Sequence, residues 1–347
     1  MEIHEADDLD RQLIHALQLD GRASFSRIAE VLGVSDQTVA RRYRRLRTRD
    51  LLRIVAVPPA DHAGHGRWLL RLRCAPGAAE NVAATLARRS DTAWVQIVSG
   101  GTEVLCIARA RSQDESEQFL LERLPRSARV VDIAAHAVLH TYYGSPNRLR
   151  GLSALTPRQV RALAPDPVPE AGDVPPLGPG DQRLLDVLAR DGRAGHAELA
   201  AATGWSQSTV GRRLDRLQAT GALHYYAEFD LRYVGLHTAA RLWTSVPPAD
   251  LAATGRALAE HPEVVFAAAT TGPTNLAVQV VCRDSRHLYR YLTERVAALT
   301  AVRHVETAPI VRNVKRAGTV LDPAFRTARG PGPGVGADGG RRPAGAR

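Results

Sequence analysis

Two stretches of the chain carry side chains whose types and spacing suit recognition of an anionic, base-bearing polymer. In the first, Gln37, Thr38, Arg41, Arg42 and Arg45 recur at steps of three and four, so one helical face would hold them together. Arginine can donate two hydrogen bonds to guanine or to phosphate, glutamine can pair with adenine, and threonine can reach either a base edge or a phosphate. Seven arginines (Arg41, Arg42, Arg44, Arg45, Arg47, Arg49 and Arg53) stand here against one acid, Asp50. The second stretch holds Gln207, Ser208, Arg212, Arg213 and Arg216, with Asp215 offsetting one charge, so weaker nonspecific attraction to DNA is expected from it. Over the whole chain 46 basic and 36 acidic residues leave +10, a balance that also favours an anionic partner.

Other chemistries find less support. Cys74, Cys106 and Cys282 are scattered singly, which excludes a CxxC zinc site or disulfide framework and suggests buried apolar roles. His62/His65 and His136/His140 are close in sequence, and the latter pair shares one face of a strand. Neither pair has the carboxylate or cysteine spacing that marks a metal site. A phosphate-binding loop, a dinucleotide fingerprint and a nucleophile–base motif are missing from the sequence. The expectation is therefore a non-enzyme with no catalytic residues, no cofactor and no metal.

The 347 residues are 44% hydrophobic and 24% charged, ordinary globular composition, and no apolar run approaches the roughly 20 residues of a membrane span. The first thirty residues lack the basic, apolar and small-residue succession of a secretory signal, so a soluble, cytoplasmic protein without membrane association is expected.

The elements that must position the two arginine stretches follow from a duplication. A shift of 171 positions lays Asp20-Gly21-Arg22-Ala23 on Asp191-Gly192-Arg193-Ala194. Gly33 then falls on Gly204, Ser35 on Ser206, Thr38-Val39 on Thr209-Val210, and Arg45-Leu46 on Arg216-Leu217. A period this long is a repeated pair of domains, since solenoid units run to about 20–50 residues. Eight of the 21 prolines fall within 144–179, which reads as an inter-repeat linker with one short helix from Thr156 to Leu163. Glycine, proline and arginine dominate the end of the chain, and a disordered tail is expected over 326–347.

Within the first copy, apolar spacing predicts helices over Asp8 to Leu19, Phe25 to Leu32 and Asp36 to Arg47, with Ser24 and Ser35 as caps and Gly33 as the stop. Two short helices joined by a tight turn form a helix-turn-helix, whose second member enters the major groove. The second copy repeats this over Asp181 to Arg190, Ala197 to Thr203 and Gln207 to Gln218. The runs Leu51 to Val57 and Leu223 to Phe229 read as strands leaving each reader, with a hinge role in view.

Downstream of each reader the order is βαββαβ. The first copy has strands at Trp68 to Cys74, Ala93 to Val98, Val104 to Ala108 and Arg129 to Leu139, with helices at Ala78 to Ala87 and Gln113 to Arg123. The second has strands at Ala240 to Val246, Val264 to Thr270, Leu276 to Cys282 and Val302 to Val311, with helices at Leu251 to Glu260 and Ser285 to Leu299. Two such domains are expected to pack through exposed sheet faces. The fold class is α+β: two repeats, each an all-α winged-type helix-turn-helix domain followed by a ferredoxin-like domain. The expected boundaries are 1–58 and 65–143 for the first copy, 144–179 for the linker, and 180–230 and 236–316 for the second copy.

With Leu9 to Leu46, the paired Asp-Gly-Arg-Ala segments and Gly272-Pro273-Thr274-Asn275-Leu276 in the hairpin between the middle strands, both repeats resemble the Lrp/AsnC family of feast/famine regulators. The resemblance implies a sequence-specific transcriptional regulator that binds double-stranded DNA, forms a homo-oligomer through its βαββαβ domains and responds to an amino acid or other small effector. Family members usually carry one copy of each domain, so this chain looks like a fused tandem form. By resemblance, effector interest falls on Gly100, Gly101, Thr102 and Glu103, and on Thr271, Gly272, Thr274 and Asn275. The family's G-x-x-D-L aspartate is Glu103 in one copy and Asn275 in the other. Siroheme decarboxylases resemble the same family and occur as fused pairs, which makes that enzyme class the alternative.

Overall fold

A computed structural model describes residues 5–57, 67–109, 129–144, 149–165, 177–316 and 319–320. The first reader consists of α1 (Asp8–Leu19), α2 (Phe25–Leu32) and α3 (Asp36–Thr48). Side chains of Asp7, Ser24 and Ser35 accept the N–H groups of Asp10, Arg27 and Thr38, and such caps are worth about 1 kcal/mol each. Helix α2 ends at Gly33, whose φ of 69° lies where a Cβ is disfavoured. Strand β1 (Leu52–Val57) follows, and the ferredoxin-like unit then runs through β2 (Arg67–Cys74), α4 (Ala79–Ala87), β3 (Thr92–Val98), β4 (Glu103–Arg109) and β5 (Val130–Tyr143). The helix expected over Gln113 to Arg123 lies outside the described residues, as do His62, His65 and the tail.

Part of the expected linker belongs to the first reader. Helix α5 (Pro157–Leu163) begins with Thr156 and Gln159 capping each other, and Leu149, Leu152, Leu155 and Leu163 are buried in the same core as Leu13, Leu17 and Ile28. The His15 Nδ1 accepts the N–H groups of Ala154 and Leu155 at 3.2 Å, and Arg27 donates to the Ala162 carbonyl at 2.8 Å. Periodic leucines inside a proline-rich stretch thus complete a core that three short helices leave open.

The second copy repeats the order with α6 (Pro179–Leu188), α7 (His196–Thr203), α8 (Gln207–Ala219), β6 (His224–Phe229), β7 (Thr238–Ser245), α9 (Pro248–Ala259), β8 (Val264–Thr270) and β9 (Leu276–Cys282). Helix α10 (Ser285–Arg290) continues as a π-helical turn over Tyr291–Val296 rather than as one α-helix to Leu299. The copy closes with β10 (His304–Arg316), against whose end the two-residue β11 (Thr319–Val320) pairs antiparallel.

The readers form one body. Strands β1 and β6 pair antiparallel from Leu52↔Phe229 to Val57↔His224, which makes them a two-stranded ribbon instead of hinges. A single hydrophobic core runs through both copies, joining Ile14, Val39, Leu46 and Ile54 to Leu184, Leu199, Leu214, Leu217 and Tyr225.

The two ferredoxin-like units close into an eight-stranded ring. Each has its own order, β5-β2-β4-β3 and β8-β9-β7-β10, and the long last strand of each crosses to the other. Strand β5 pairs with β2 up to Ala137 and with β8 from Val138. Strand β10 pairs with β7 up to Pro309 and with β3 from Ile310. The units therefore join edge to edge, as well as enclosing a shared interior of Leu69, Val98, Leu105, Ile107, Trp243, Ala277 and Ala308. The sequence pattern ends these strands at Leu139 and Val311, while the structure carries them to Tyr143 and Arg316, because residues of the other repeat pair with the extension as far as Tyr143 and Lys315, and β11 pairs with Lys315 and Arg316. Cys74, Cys106 and Cys282 are buried, and burial pushes the Cys106 and Cys282 thiols up to about 12.

Candidate nucleic-acid interface and hairpin sites

The apolar face of α3 buries Val39, Tyr43 and Leu46, which turns the opposite face outward. Gln37, Arg41, Arg44 and Arg45 are exposed. On α8, Val210, Leu214 and Leu217 are buried, leaving Gln207, Ser208, Arg212 and Arg216 exposed. The Thr38 and Ser208 hydroxyls lie 2.9 Å from the Oγ atoms of Ser35 and Ser206 respectively, so both belong to helix-capping clusters.

Arg42 and Arg213, expected at the DNA surface, are turned to carboxylates of the helix that opens each reader. Arg42 donates to both Asp7 oxygens at 2.6 and 2.7 Å and to Asp10 at 2.9 Å; Arg213 holds Asp181 at 2.6 and 2.7 Å. Asp10 is 1% exposed and also accepts from Arg45 and from the Tyr233 hydroxyl. Charge at these positions is thus needed inside the fold, where an unpaired carboxylate would be costly. Burial raises the pKa of Asp7 and of Asp181, but hydrogen bonds from Arg42 and Arg213, helped by backbone N–H groups, outweigh it and hold both below the ordinary aspartate value of 3.8.

The repeated Asp-Gly-Arg-Ala segment is a reciprocal clasp between readers. Arg22 donates to the Gly192 and Ala194 carbonyls at 2.9 and 3.2 Å, and Arg193 donates to those of Gly21 and Ala23 at 2.7 and 3.0 Å. Arg193 also lies over the rings of Phe25 and Tyr43, and Arg22 over Tyr225. Each aspartate fixes its turn by accepting the arginine's own N–H at 2.9 Å. A Cβ on Gly21 would meet the Tyr225 Cβ at 2.8 Å, and one on Gly192 would meet the Ile54 Cγ2 at 2.9 Å, so glycine permits the approach. Sequence reading found this segment as the mark of duplication and missed its role; its equal recurrence in both copies was the available signal. Arg47 adds an ion pair to Asp191 at 2.6 Å.

The two hairpins carry the expected effector residues. In the first, Gly100 and Gly101 have φ of 68° and 90°, and Thr102 Oγ1 donates to the Ser99 carbonyl. Glu103 is buried and accepts from Arg71 at 2.9 Å and from Ser99 Oγ at 3.0 Å, while Arg71 also reaches Glu306 of the second copy. In the second hairpin, Asn275 clips the Val246 backbone through both amide atoms, at 3.0 and 2.8 Å. Thr271 accepts the Ala137 N–H at 2.9 Å, and its carbonyl lies 2.8 Å from His136 Nδ1. Gly272, with φ of 106°, would place a Cβ 2.5 Å from that ring; Thr274 is half-buried and lends its carbonyl to Thr270. Glu103, Thr271 and Asn275 therefore hold the architecture together, and Gly100 to Thr102 and Gly272 to Thr274 form the outer parts of the hairpins. His136 is occupied by the hairpin and His140 packs against Tyr142. Among the described residues no group of three or more histidine, cysteine or acidic side chains is placed to hold a metal.

The AsnC-type helix-turn-helix model matches residues 7–47 and again 180–218, and the Lrp/AsnC ligand binding domain matches 242–320. An uncharacterized HTH-type transcriptional regulator of Pyrococcus abyssi is 30% identical over 139 residues, 40% of this chain and 87% of the relative. The chain belongs to the Lrp/AsnC family. An HTH-type transcriptional regulator of Mycobacterium tuberculosis is 31% identical over 39% of this chain and 91% of its own length. Such Lrp/AsnC relatives are the size of one repeat, whereas this member carries two. Its whole architecture is similar to that of the siroheme decarboxylase NirDL, with a TM-score of 0.59 over 89% of this chain and 93% of that one. At 13% identity this is a likeness of fold. Among the described residues no helix is long and apolar enough to cross a membrane.

Proposed function

We propose that this Lrp/AsnC chain is a DNA-binding transcriptional regulator that presents two covalently linked readers at a fixed separation. The observation that carries the reading is the pair of recognition helices, α3 and α8, whose exposed Arg41, Arg45, Arg212 and Arg216 stand on a body locked by the Arg22/Arg193 clasp. Gln37 and Gln207 are the base-reading candidates, and Thr38 and Ser208 contribute through the helix starts, where N–H groups and hydroxyls suit a phosphate. Arg42 and Arg213 support this surface from behind.

An amino acid or similar small effector is proposed at the outer hairpins, where the Gly100 to Thr102 and Gly272 to Thr274 segments offer backbone groups. Such an effector would act by favouring one assembly of the protein over another. Exposed Val131 and Leu139 on β5 and Val311 on β10 favour homo-oligomer formation through the barrel rather than through the readers. The decarboxylase architecture by itself assigns no chemistry, and the exposed arginines favour DNA.

The test is selection of genomic fragments by the purified chain at two salt concentrations, with and without an amino-acid mixture. An enriched motif whose recovery falls as salt rises is expected. Absence of enrichment, together with binding of siroheme, would replace the regulator by the enzyme reading.

A further inference from the structure

A cavity of about 540 Å³ lies on the seam between the first reader and the second ferredoxin-like unit. Small-molecule sites have volumes of about 300–1,000 Å³, so this one has room for a small metabolite. Its apolar wall is the rim of the reader core: Leu152 of the linker, Val234 of the turn after β6 and Val281 of β9 border the cavity and are buried in that core. Its polar wall carries both signs of charge. Glu5 and Arg11 come from the start of the first reader, and Glu263, Arg283 and His287 from the second ferredoxin-like unit.

These charges are unequally answered. Arg11 is committed to the fold, donating to the Ala6 and Val234 carbonyls at 3.1 and 2.9 Å. Glu5 keeps only long contacts, with Arg11 Nη2 at 3.5 Å and His237 Nε2 at 3.8 Å. His287 is spent as well, since its Nδ1 accepts the Arg283 N–H at 3.3 Å and its Nε2 lies 3.3 Å from Glu263 Oε1. Glu263 is 9% exposed, yet its Oε2 has no hydrogen bond, and Arg295 Nη1 stops at 3.6 Å. An under-bonded carboxylate at such depth is costly. Arg283 stands two positions beyond Val281, on the same side of the extended chain. It is exposed, and its guanidinium has no acceptor among the described residues. An exposed arginine alone signals nothing; this one borders the same cavity as the under-bonded Glu263 and the loosely held Glu5.

We propose that the seam cavity binds a small zwitterion with an apolar body. Its ammonium donates to the carboxylates of Glu263 and Glu5, its carboxylate accepts from the Arg283 guanidinium, and its body rests on Leu152, Val234 and Val281. The chemistry of the lining matches both poles, because a guanidinium offers a carboxylate two parallel N–H donors and an ammonium brings three donors to oxygens that lack them. The occupant ties the first reader to the barrel, since the walls come from both. The site lies apart from the hairpins and its occupancy is read on the free protein, so it stands or falls separately from the DNA-binding reading.

The test is isothermal titration of the full chain with leucine and phenylalanine, each compared with its methyl ester, which lacks the carboxylate, and its N-acetyl derivative, which lacks the ammonium. Saturable binding of at least one amino acid is expected, with affinity lower by about tenfold or more for either derivative. R283M should weaken the amino acid by a similar factor and leave the methyl ester unchanged, a split that a merely structural loss does not produce. E5Q/E263Q should weaken the amino acid and spare the N-acetyl derivative, and E5Q gives the same direction if the double variant does not fold. Crystals of the complex with 4-bromophenylalanine should show an anomalous bromine peak beside Leu152 and Val281. Absence of saturable binding would overturn the proposal, as would equal affinity for all three forms of each amino acid. Binding that R283M leaves unchanged, or a bromine peak at the hairpins alone, would overturn it too while leaving the hairpin effector reading in place.

Discussion

Asp10 and Asp181 occupy the same place in the two copies, and each draws an arginine of the recognition helix back into the fold. This divides the arginines into two classes that a list of basic residues does not separate. Arg41→Ala or Arg212→Ala should weaken DNA binding evenly across sequences and lower the slope of log affinity against log salt by about 1, measured by fluorescence titration at several salt concentrations. Arg42→Ala should instead lower the stability of the free protein. Asp181→Asn should cost about 1–3 kcal/mol at neutral pH in urea unfolding, since it leaves the buried end of Arg213 poorly matched. The sign of the pH dependence follows from a folded-state pKa held below 3.8. The ion pair contributes fully above that value, and its contribution fades as pH falls through the lower folded-state pKa, so the difference between wild type and Asp181→Asn should shrink in acid.

At the level of elements, the clasp and the ribbon decide how the readers sit. The Asp-Gly-Arg-Ala turns bring backbone against backbone, and the contacts a Cβ would make at Gly192 include the Ile54 carbonyl carbon and oxygen at 3.1 Å. Gly192→Ala should therefore destabilise the paired readers by about 1–3 kcal/mol, visible as a lower urea midpoint. A substitution at Gly195, where nothing lies within 4 Å, serves as the control. Strands β1 and β6 explain why a hinge reading fails. Each is only six residues long, but every residue of one has an antiparallel partner in the other, and a paired ribbon transmits orientation rather than releasing it.

For the whole molecule, fusion of two repeats makes reader separation a property of one chain. Because a shared core and a reciprocal clasp fix α3 relative to α8, the two half-sites of an operator must keep one spacing and one rotational phase. Inserting about 5 base pairs between the half-sites should lower affinity toward that of a single half-site in a mobility-shift assay. A chain with independent readers would tolerate the insertion. The copies also differ at the DNA surface, with Asp36 and Gln37 standing where the second copy has Gln207 and Ser208, so the preferred site should be asymmetric.

The sequence by itself determined the duplication, the helix-turn-helix units and the βαββαβ order, because these rest on local periodicity, caps and turns that neighbouring residues enforce. Helix α1 and strands β8 and β9 begin and end where apolar spacing and turn residues place them. Tertiary structure alone decided what depends on residues about 170 apart. The last strands run past Leu139 and Val311 because the other repeat supplies partners for most of the extension. The proline-rich linker yields a fourth helix because the first reader's core needs its leucines. Arg42, Arg213, Glu103 and Asn275 look like surface chemistry in one dimension and become internal ties in three, since a charged or amide side chain takes its role from whichever partner the fold brings within 3 Å, and spacing along the chain carries no record of that partner.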